Sequence, residues 1–150
     1  MKIYRKKTRE LLMRLVFQMT TSGDFSDEAK ETFMKDRNLF KDIFDEGAGE
    51  APDMAYFNWA YSSISNNLVE IDRVIAEASE KWTIERMQIV DLSILRVAVA
   101  ELMYMGEIED SVSVNEAILM AKKYGSKKSS AFINGILGTV SRSRGEGQVT

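Results

Sequence analysis

Two groups of basic side chains, one near each end of the chain, are the residues best suited to chemistry, and that chemistry is the binding of phosphates. The first group consists of Lys2, Arg5, Lys6, Lys7 and Arg9. If a helix reached back to Lys2, four of these side chains would lie within an arc of about 100° and form one basic ridge. Positive charge near a helix N-terminus opposes the helix dipole, so helix stability does not account for the cluster. The ridge therefore favours an RNA interface, and a solvated helix start is the simpler alternative.

The second basic group surrounds an aromatic side chain in the last third of the chain. Residues 117–145 contain six basic residues and no acid, and Lys127 and Lys128 closely follow Tyr124. A cation beside an aromatic ring suits the unstacked bases of single-stranded RNA. Residues 15–116 carry a net charge of −13, although the whole chain is only at −3. A polyanion is thus attracted to both ends and repelled between them, so an RNA surface requires a fold that brings the ends together.

Other kinds of chemistry lack the residues they need. The chain has no cysteine and no histidine, which removes disulfides, thiol nucleophiles, imidazole catalysis and zinc sites built from these residues. The glycine spacing of a P-loop is missing from residues 125–129, and the acids at 42–53 lack the alternation of an EF-hand loop. We therefore expect no catalytic residue, no metal site and no cofactor. No apolar run is long enough to cross a membrane, so we expect a cytoplasmic protein.

Abundant helix-forming residues and a single proline predict an all-α chain. About seven helices are expected, at 8–21, 26–37, two within 53–79 divided at 62–67, 87–105, 113–124 and from 129 onward. The helix at 87–105 is apolar nearly all round, which predicts the buried centre of the fold, and Arg96 within it needs a carboxylate partner. Ser113 and Glu116 have the spacing of a helix capping box, and Gly125 is the expected left-handed stop of that helix.

The second half of the chain contains a long series of short motifs. They are Arg86-Met87, Val90-Asp91, Ile94-Leu95-Arg96, Glu101-Leu102, Val114-Asn115-Glu116-Ala117, Ala121-Lys122, Tyr124-Gly125, Ser129 and Phe132-Ile133-Asn134-Gly135-Ile136-Leu137. Together with the N-terminal run at residues 5–10, this series resembles the NusB family of bacterial transcription antitermination factors. The resemblance is strong over residues 82–140 and weak over 24–80.

The resemblance implies a fold of two packed three-helix bundles with an extra short helix. The whole chain, residues 1–150, would form a single RNA-binding domain. Its N-terminal bundle would cover about residues 1–80 and its C-terminal bundle about 81–142, followed by a disordered tail at 143–150.

The resemblance also implies a non-enzymatic adaptor. It would bind boxA RNA together with the ribosomal protein NusE, within an antitermination complex on RNA polymerase, and its usual targets would be ribosomal RNA operons. By position in the family pattern, the RNA contacts would be Lys2, Arg5, Lys6, Lys7, Arg9, Tyr124, Lys127, Lys128 and Phe132, and the partner contacts would be Phe17, Glu85 and Asp91. The family often has acids where Lys127 and Lys128 stand, so either this loop should attract RNA more strongly or its RNA contacts should differ in detail. Two alternatives stay open, a self-associating homodimeric structural protein and an accessory domain for RNA modification.

Overall fold

Eight α-helices and one short pair of parallel strands make up the computed structural model, which describes residues 2–149 and the side chains of residues 3–145. The helices are α1 (Arg5–Ser22), α2 (Asp27–Met34), α3 (Arg37–Ile43), α4 (Met54–Asn66), α5 (Leu68–Ser79), α6 (Ile89–Tyr104), α7 (Asp110–Tyr124) and α8 (Ser129–Val149). The strands are β1 (Lys2–Ile3) and β2 (Glu50–Ala51), and 3₁₀ turns at Glu46–Ala48 and Ile84–Arg86 precede β2 and α6. The predicted all-α fold class is confirmed.

The additional helix is α3, which lies in a stretch to which the sequence analysis assigned no element. Ser26 begins α2 as predicted, since its hydroxyl accepts a backbone hydrogen bond at 3.2 Å. The carboxylate of Asp36 then accepts hydrogen bonds from the N–H groups of Asn38 and Leu39 at 3.0 and 3.3 Å. The predicted helix is therefore present but ends at Met34 instead of near Arg37, and a second capping residue starts a further helix.

The N-terminal arm also differs from its prediction. Lys2 and Ile3 pair with Glu50 and Ala51 as a parallel strand, and α1 begins only at Arg5. The predicted helical ridge therefore does not reach back to Lys2. The pairing instead fixes the chain just before α1 to the segment that leads into α4.

Helix α6 lies at the centre of the fold and packs against α1, α4, α5, α7 and α8. Every residue from 91 to 102 is buried. Because neighbours surround it, this helix needs no polar face, which explains its nearly continuous apolar sequence. The predicted buried centre is confirmed. Buried hydrophobic side chains from both halves of the chain form one cluster, and the division into bundles near residue 80 stays a prediction.

Arg96, on the buried helix α6, has the carboxylate partner that the sequence requires. Its guanidinium donates to the two carboxylate oxygens of Asp72 at 2.9 and 2.8 Å, and its third nitrogen donates to the Thr20 hydroxyl at 2.8 Å. Asp72 lies on α5 and Thr20 on α1. One side chain thus joins three helices by hydrogen bonds to a charged group, the stronger kind in proteins.

The start of α7 differs from its prediction, and its end lies at the predicted residue but without the predicted left-handed glycine. The helix begins at Asp110, so Ser113 lies inside it and donates to Glu101 at 2.8 Å instead of capping the helix. Gly125 ends the helix with φ at −93°, which is not left-handed. Glycine is needed at this position for steric reasons, because a Cβ atom there would lie 2.5 Å from Oγ and 2.6 Å from Cβ of Ser129.

Helix α8 continues past the predicted boundary at residue 142. The Ser141 hydroxyl donates to one carboxylate oxygen of Asp110 at 2.7 Å, and Arg144 donates to the other at 3.3 Å. These contacts tie the late turns of α8 to the start of α7. Residues 143–145, expected to belong to a disordered tail, are therefore helical, and the side chains of 146–150 lie outside the described set.

Candidate nucleic-acid interface

Helices α1 and α7 bring the two basic groups to one surface. Lys6 of α1 lies 3.5 Å from Glu116 of α7, and Lys123 of α7 lies 3.1 Å from Glu10 of α1. These pairs connect residues that are 110 and 113 positions apart in the sequence. The fold therefore meets the condition that the charge distribution sets for an RNA surface.

Three predicted RNA contacts near the N-terminus reach the surface, with Arg5 and Lys6 exposed and Lys7 half-buried, and each forms an ion pair. Arg5 lies 3.4 Å from Asp53, and the ammonium group of Lys7 is hydrogen-bonded to Glu50. The side chains of Arg5, Lys6 and Lys7 are 47%, 58% and 34% exposed. Exposed ion pairs stabilise a fold by only about 0–1 kcal/mol, so an RNA phosphate can compete with these carboxylates. The side chain of Lys2, also predicted to contact RNA, lies outside the described residues.

Arg9 is the exception among the predicted N-terminal contacts, because it is buried and only 4% exposed. Its guanidinium donates to both carboxylate oxygens of Glu101, at 2.8 and 3.1 Å, and lies 5.2 Å from the centre of the Tyr56 ring. The Tyr56 hydroxyl donates to Glu101 at 2.5 Å. Two of its three nitrogens are hydrogen-bonded to Glu101, and the burial of the residue leaves little of the guanidinium for a phosphate. We therefore correct the prediction for Arg9 and assign it to the core.

The protonation of this buried group follows from its surroundings. Burial alone lowers the pKa of Arg9, but hydrogen bonding and charge attraction from Glu101 raise that pKa above its ordinary value. Burial and the negative charge of Glu101 raise the pKa of Tyr56 well above its usual value. Arg9 is thus charged and Tyr56 is neutral at physiological pH.

Tyr124 is half-buried at the junction of α1 and α7, with a cation near its ring from each helix. The Arg14 guanidinium and the Lys123 ammonium each lie 5.4 Å from the ring centre. Arg14 also donates to the tyrosine hydroxyl at 3.1 Å and lies 2.7 Å from Asp42. Tyr124 is therefore placed at the predicted surface, with a ring that the chain's own residues already contact.

The loop between α7 and α8 carries the remaining predicted RNA contacts. Lys127 and Lys128 are exposed, and Phe132 is partly buried in the first turns of α8. Lys128 and Phe132 line a cavity of about 360 Å³ together with Trp82 and Arg86. Lys128 and Phe132, two of the predicted C-terminal contacts, thus form an aromatic and basic wall with Trp82 and Arg86.

Trp82 and Arg86 belong to this wall, but the sequence analysis did not select them as site residues. Trp82 is 47% exposed, and the Arg86 guanidinium lies 5.8 Å from the centre of its ring. The sequence does offer a signal, since a tryptophan stands four positions before an arginine just ahead of the apolar segment that forms the buried helix. It was missed because the segment was read only as a helix start.

Of the predicted protein-partner contacts, two are accessible. Phe17 is 38% exposed and lines a groove of about 600 Å³ with Phe33 and Leu39, between α1 and the α2 and α3 helices. Glu85 is exposed in the 3₁₀ turn before α6. An apolar groove and an exposed acid are the kinds of contact that a basic protein partner would use.

Asp91, the third predicted partner contact, is only 5% exposed. Burial raises the pKa of its carboxyl group, and hydrogen bonding with the Ser129 side chain partly opposes that shift. A residue this deeply buried does not lie on an open docking face. We therefore correct its predicted position, since Asp91 lines the same cavity as Phe132.

Among the described side chains, those of residues 3–145, no group of three or more acids is arranged to hold a metal ion. Across the same range, the structure has no helix that is both long and apolar enough to span a membrane.

Comparison with known proteins gives a consistent result. The NusB family model matches residues 6–142. The transcription antitermination protein NusB of Clostridium botulinum (strain Hall) is 43% identical over 139 residues, which cover 89% of this chain and 96% of that protein. The protein of the same name from Finegoldia magna is 34% identical over 136 residues, with 91% and 92% covered.

Solved structures agree with the sequence matches. T. maritima NusB superposes with a TM-score of 0.76 at 30% identity and covers 95% of this chain and 93% of its own. A chain from a crystal structure of NusB and NusE with dsRNA matches with a TM-score of 0.72 at 22% identity, over 92% of this chain and 96% of its own, and supports the fold alone. On the family match and the relatives' identities together, this chain belongs to the NusB family.

Proposed function

We propose that this protein is a transcription antitermination factor that binds boxA-type RNA together with the ribosomal protein NusE. It acts within the antitermination complex of RNA polymerase and promotes processive transcription of ribosomal RNA operons. Its role is that of an adaptor without catalysis, and its site of action is the cytoplasm, where bacterial transcripts are made. The names of its relatives support the activity, and the exposed cations of α1 beside α7 are the observation that carries the RNA surface.

The RNA surface has two walls. Arg5, Lys6 and Lys7 on α1 supply charge for the phosphates, and Lys127 and Lys128 supply it from the loop between α7 and α8. Lysine and arginine side chains position a nucleic-acid backbone without reading its sequence. Aromatic rings on the second wall add stacking surface for unpaired bases. The arrangement fits a single strand rather than a duplex groove, because it offers rings beside cations and no protruding helix.

The sharpest test removes exposed charge from α1 while leaving Arg9 in place. In the double variant Arg5→Gln/Lys6→Gln, affinity for a boxA-like single-stranded RNA should fall at least about tenfold at low salt, since two phosphate contacts are lost. Fluorescence anisotropy measures the affinity. Circular dichroism should show unchanged helical content, because both ion pairs are exposed.

A matched control carries the same change of charge elsewhere. Lys35→Gln/Arg73→Gln removes two exposed cations, of which Lys35 lies just after α2 and Arg73 lies on α5. This double variant should bind RNA with nearly unchanged affinity. Equal losses in the two double variants would mean that net charge alone attracts the RNA. Full retention of RNA by Arg5→Gln/Lys6→Gln would place the site elsewhere.

The partner surface needs its own readout. A gel shift of boxA-like RNA with this protein alone and with NusE tests both surfaces together. Phe17→Ser removes the exposed ring from the groove of α1, so the extra shift that NusE causes should weaken while the shift by this protein alone persists. An unchanged ternary shift would exclude the Phe17 groove as the NusE contact.

A further inference from the structure

One ion pair lies between the proposed RNA surface and the groove proposed for the protein partner. Arg14 of α1 lies 2.7 Å from the carboxylate of Asp42 on α3. On one side, the same guanidinium donates to the hydroxyl of Tyr124, whose ring lies at the RNA surface, at 3.1 Å. On the other side, Arg14 lines the groove that also contains Phe17 and Leu39. Arg14 therefore borders both surfaces at once.

The two members of this pair are accessible to different ligands. Asp42 lies one turn beyond Leu39 on α3, and its side chain is 61% exposed. A carboxylate in this position is accessible to a basic partner that fills the groove. The side chain of Arg14 is 28% exposed, and its guanidinium lies 5.4 Å from the centre of the Tyr124 ring. A partly exposed arginine at the RNA surface suits a phosphate of the bound strand.

The hydrogen bonding of Arg14 allows one of its partners to be exchanged. Its Nη2 atom carries two hydrogens and contacts both the Tyr124 hydroxyl and a carboxylate oxygen of Asp42. Burial lowers the pKa of Arg14, but hydrogen bonding with Tyr124 and Asp42 raises that pKa above its ordinary value. A phosphate oxygen that replaces Asp42 leaves the contact with Tyr124 in place, so the charged guanidinium can bind RNA without leaving the surface.

While the pair is closed, each member opposes the ligand of the other. A phosphate that approaches Arg14 is repelled by Asp42, and a cationic side chain that approaches Asp42 is repelled by Arg14. Whichever ligand binds first must therefore separate the pair, and the second ligand then finds its own site already open. Two ligands that separate the same contact bind with positive cooperativity, and the coupling is equal in both directions.

We propose that Arg14 binds an RNA phosphate, that Asp42 binds a basic side chain of the protein partner, and that separation of their ion pair couples the two binding events. The inference rests on the proposed function and adds one binding residue to each of its two surfaces. It also favours the ternary complex over either binary complex, since only the first ligand has to open the pair.

The strength of the ion pair sets the size of the coupling. A pair between partly exposed side chains favours its closed form over its open form by about 1.4- to 5-fold. If each ligand binds only the open form, closure weakens the first binding event by about two- to sixfold. The ligand that binds second does not suffer this loss, so the same factor measures the coupling.

The test uses two variants that break the pair from opposite sides. In Asp42→Asn, no carboxylate holds Arg14, so the affinity of the protein alone for a boxA-like single strand should rise about two- to sixfold in fluorescence anisotropy. In Arg14→Gln, Asp42 is released, so the affinity for NusE without RNA should rise by a similar factor in titration calorimetry. In both variants, the factor by which saturating NusE strengthens RNA binding should fall by that same amount.

Arg73 and Glu77 supply the matched controls, because they form an exposed ion pair at 2.5 Å beside a separate cavity between α5 and α8. Glu77→Gln repeats the charge change of Asp42→Asn, and Arg73→Gln repeats that of Arg14→Gln. Neither control should reproduce the rise in affinity, and both should keep the full coupling between RNA and NusE. Thermal unfolding checks that each variant is folded.

The outcomes separate this inference from the function on which it rests. Both rises in affinity, together with the matching loss of coupling, support the shared ion pair. If Asp42→Asn and Arg14→Gln each weaken both binding events, the pair only stabilises the fold and the inference is overturned. If RNA and NusE bind with the same coupling in every variant, the inference fails and the proposed function stands. If the unaltered protein binds no boxA-like RNA, the two fail together.

Discussion

Replacing Glu101 by glutamine should strongly destabilise the protein, because this buried carboxylate accepts hydrogen bonds from three side chains. Glu101 is 1% exposed and accepts hydrogen bonds from Arg9, Tyr56 and Ser113 at distances between 2.5 and 3.1 Å. Glutamine keeps one acceptor oxygen and turns the other position into an amide donor. Arg9 would then be a buried cation without a counter-charge.

The size of the effect follows from the burial of both partners. Removing one partner of a buried ion pair destabilises a protein by about 3–5 kcal/mol. Against a typical total stability of about 5–15 kcal/mol this is a large loss. For a chain of this length, a loss of 1 kcal/mol lowers Tm by about 2–4 °C, so Glu101→Gln should lower Tm by about 6–20 °C.

Thermal unfolding followed by circular dichroism measures this change. Glu116→Gln is the matched control, since its partner Lys6 is 58% exposed, and it should cost about 1 kcal/mol or less. Adding Arg9→Met to Glu101→Gln should recover part of the lost stability, because the unpaired charge is then removed. The reasoning is refuted if Glu101→Gln lowers Tm no more than Glu116→Gln does.

Two further changes test other parts of the fold by the same measurement. Gly125→Ala should lower the free energy of unfolding by about 1–3 kcal/mol, since a Cβ atom would lie 2.5 Å from Oγ of Ser129. Gly106→Ala is the control, because a Cβ atom there meets nothing within 4 Å. Equal effects of the two substitutions would contradict the steric argument. Because burial raises the pKa of Asp91, its charged form destabilises the fold above that pKa and ceases to do so as pH falls towards the unfolded value of about 3.9. Asp91→Asn should therefore raise Tm at neutral pH by an amount that shrinks on acidification, and a gain that is independent of pH would disprove this cause.

Local patterns allowed much of the fold to be predicted. The nearly continuous apolar sequence of α6 predicts burial on all sides, which the structure shows. Arg96 within it predicts an acidic partner, and that partner is Asp72. The extra helix α3 was missed because Asp36 was not recognised as a second capping residue. Ser113 has the spacing of a cap, but its hydroxyl reaches a carboxylate on a neighbouring helix instead.

The candidate site was predictable only in outline, because it too depends on contacts between residues that are far apart in the sequence. Charge along the chain indicates which segments attract RNA, but it does not show which cations the core uses. Arg9 looks like Arg5 in the sequence, and only the pairing with Glu101, 92 positions away, separates their roles. Burial of Asp91 beside the start of α8 is likewise a long-range property of the fold.

The ion pairs of α1 have a consequence for how binding responds to salt. When an RNA phosphate displaces Asp53 from Arg5 or Glu116 from Lys6, the group released is a tethered carboxylate and not a free ion from solution. The entropy of releasing ions into bulk solvent is what makes nucleic-acid affinity fall by about 0.7 log units per phosphate contact for each log unit of salt. Some of the counterions of these cations are carboxylates of the protein itself. Its affinity for RNA should therefore decline with salt less steeply than the number of its cations suggests.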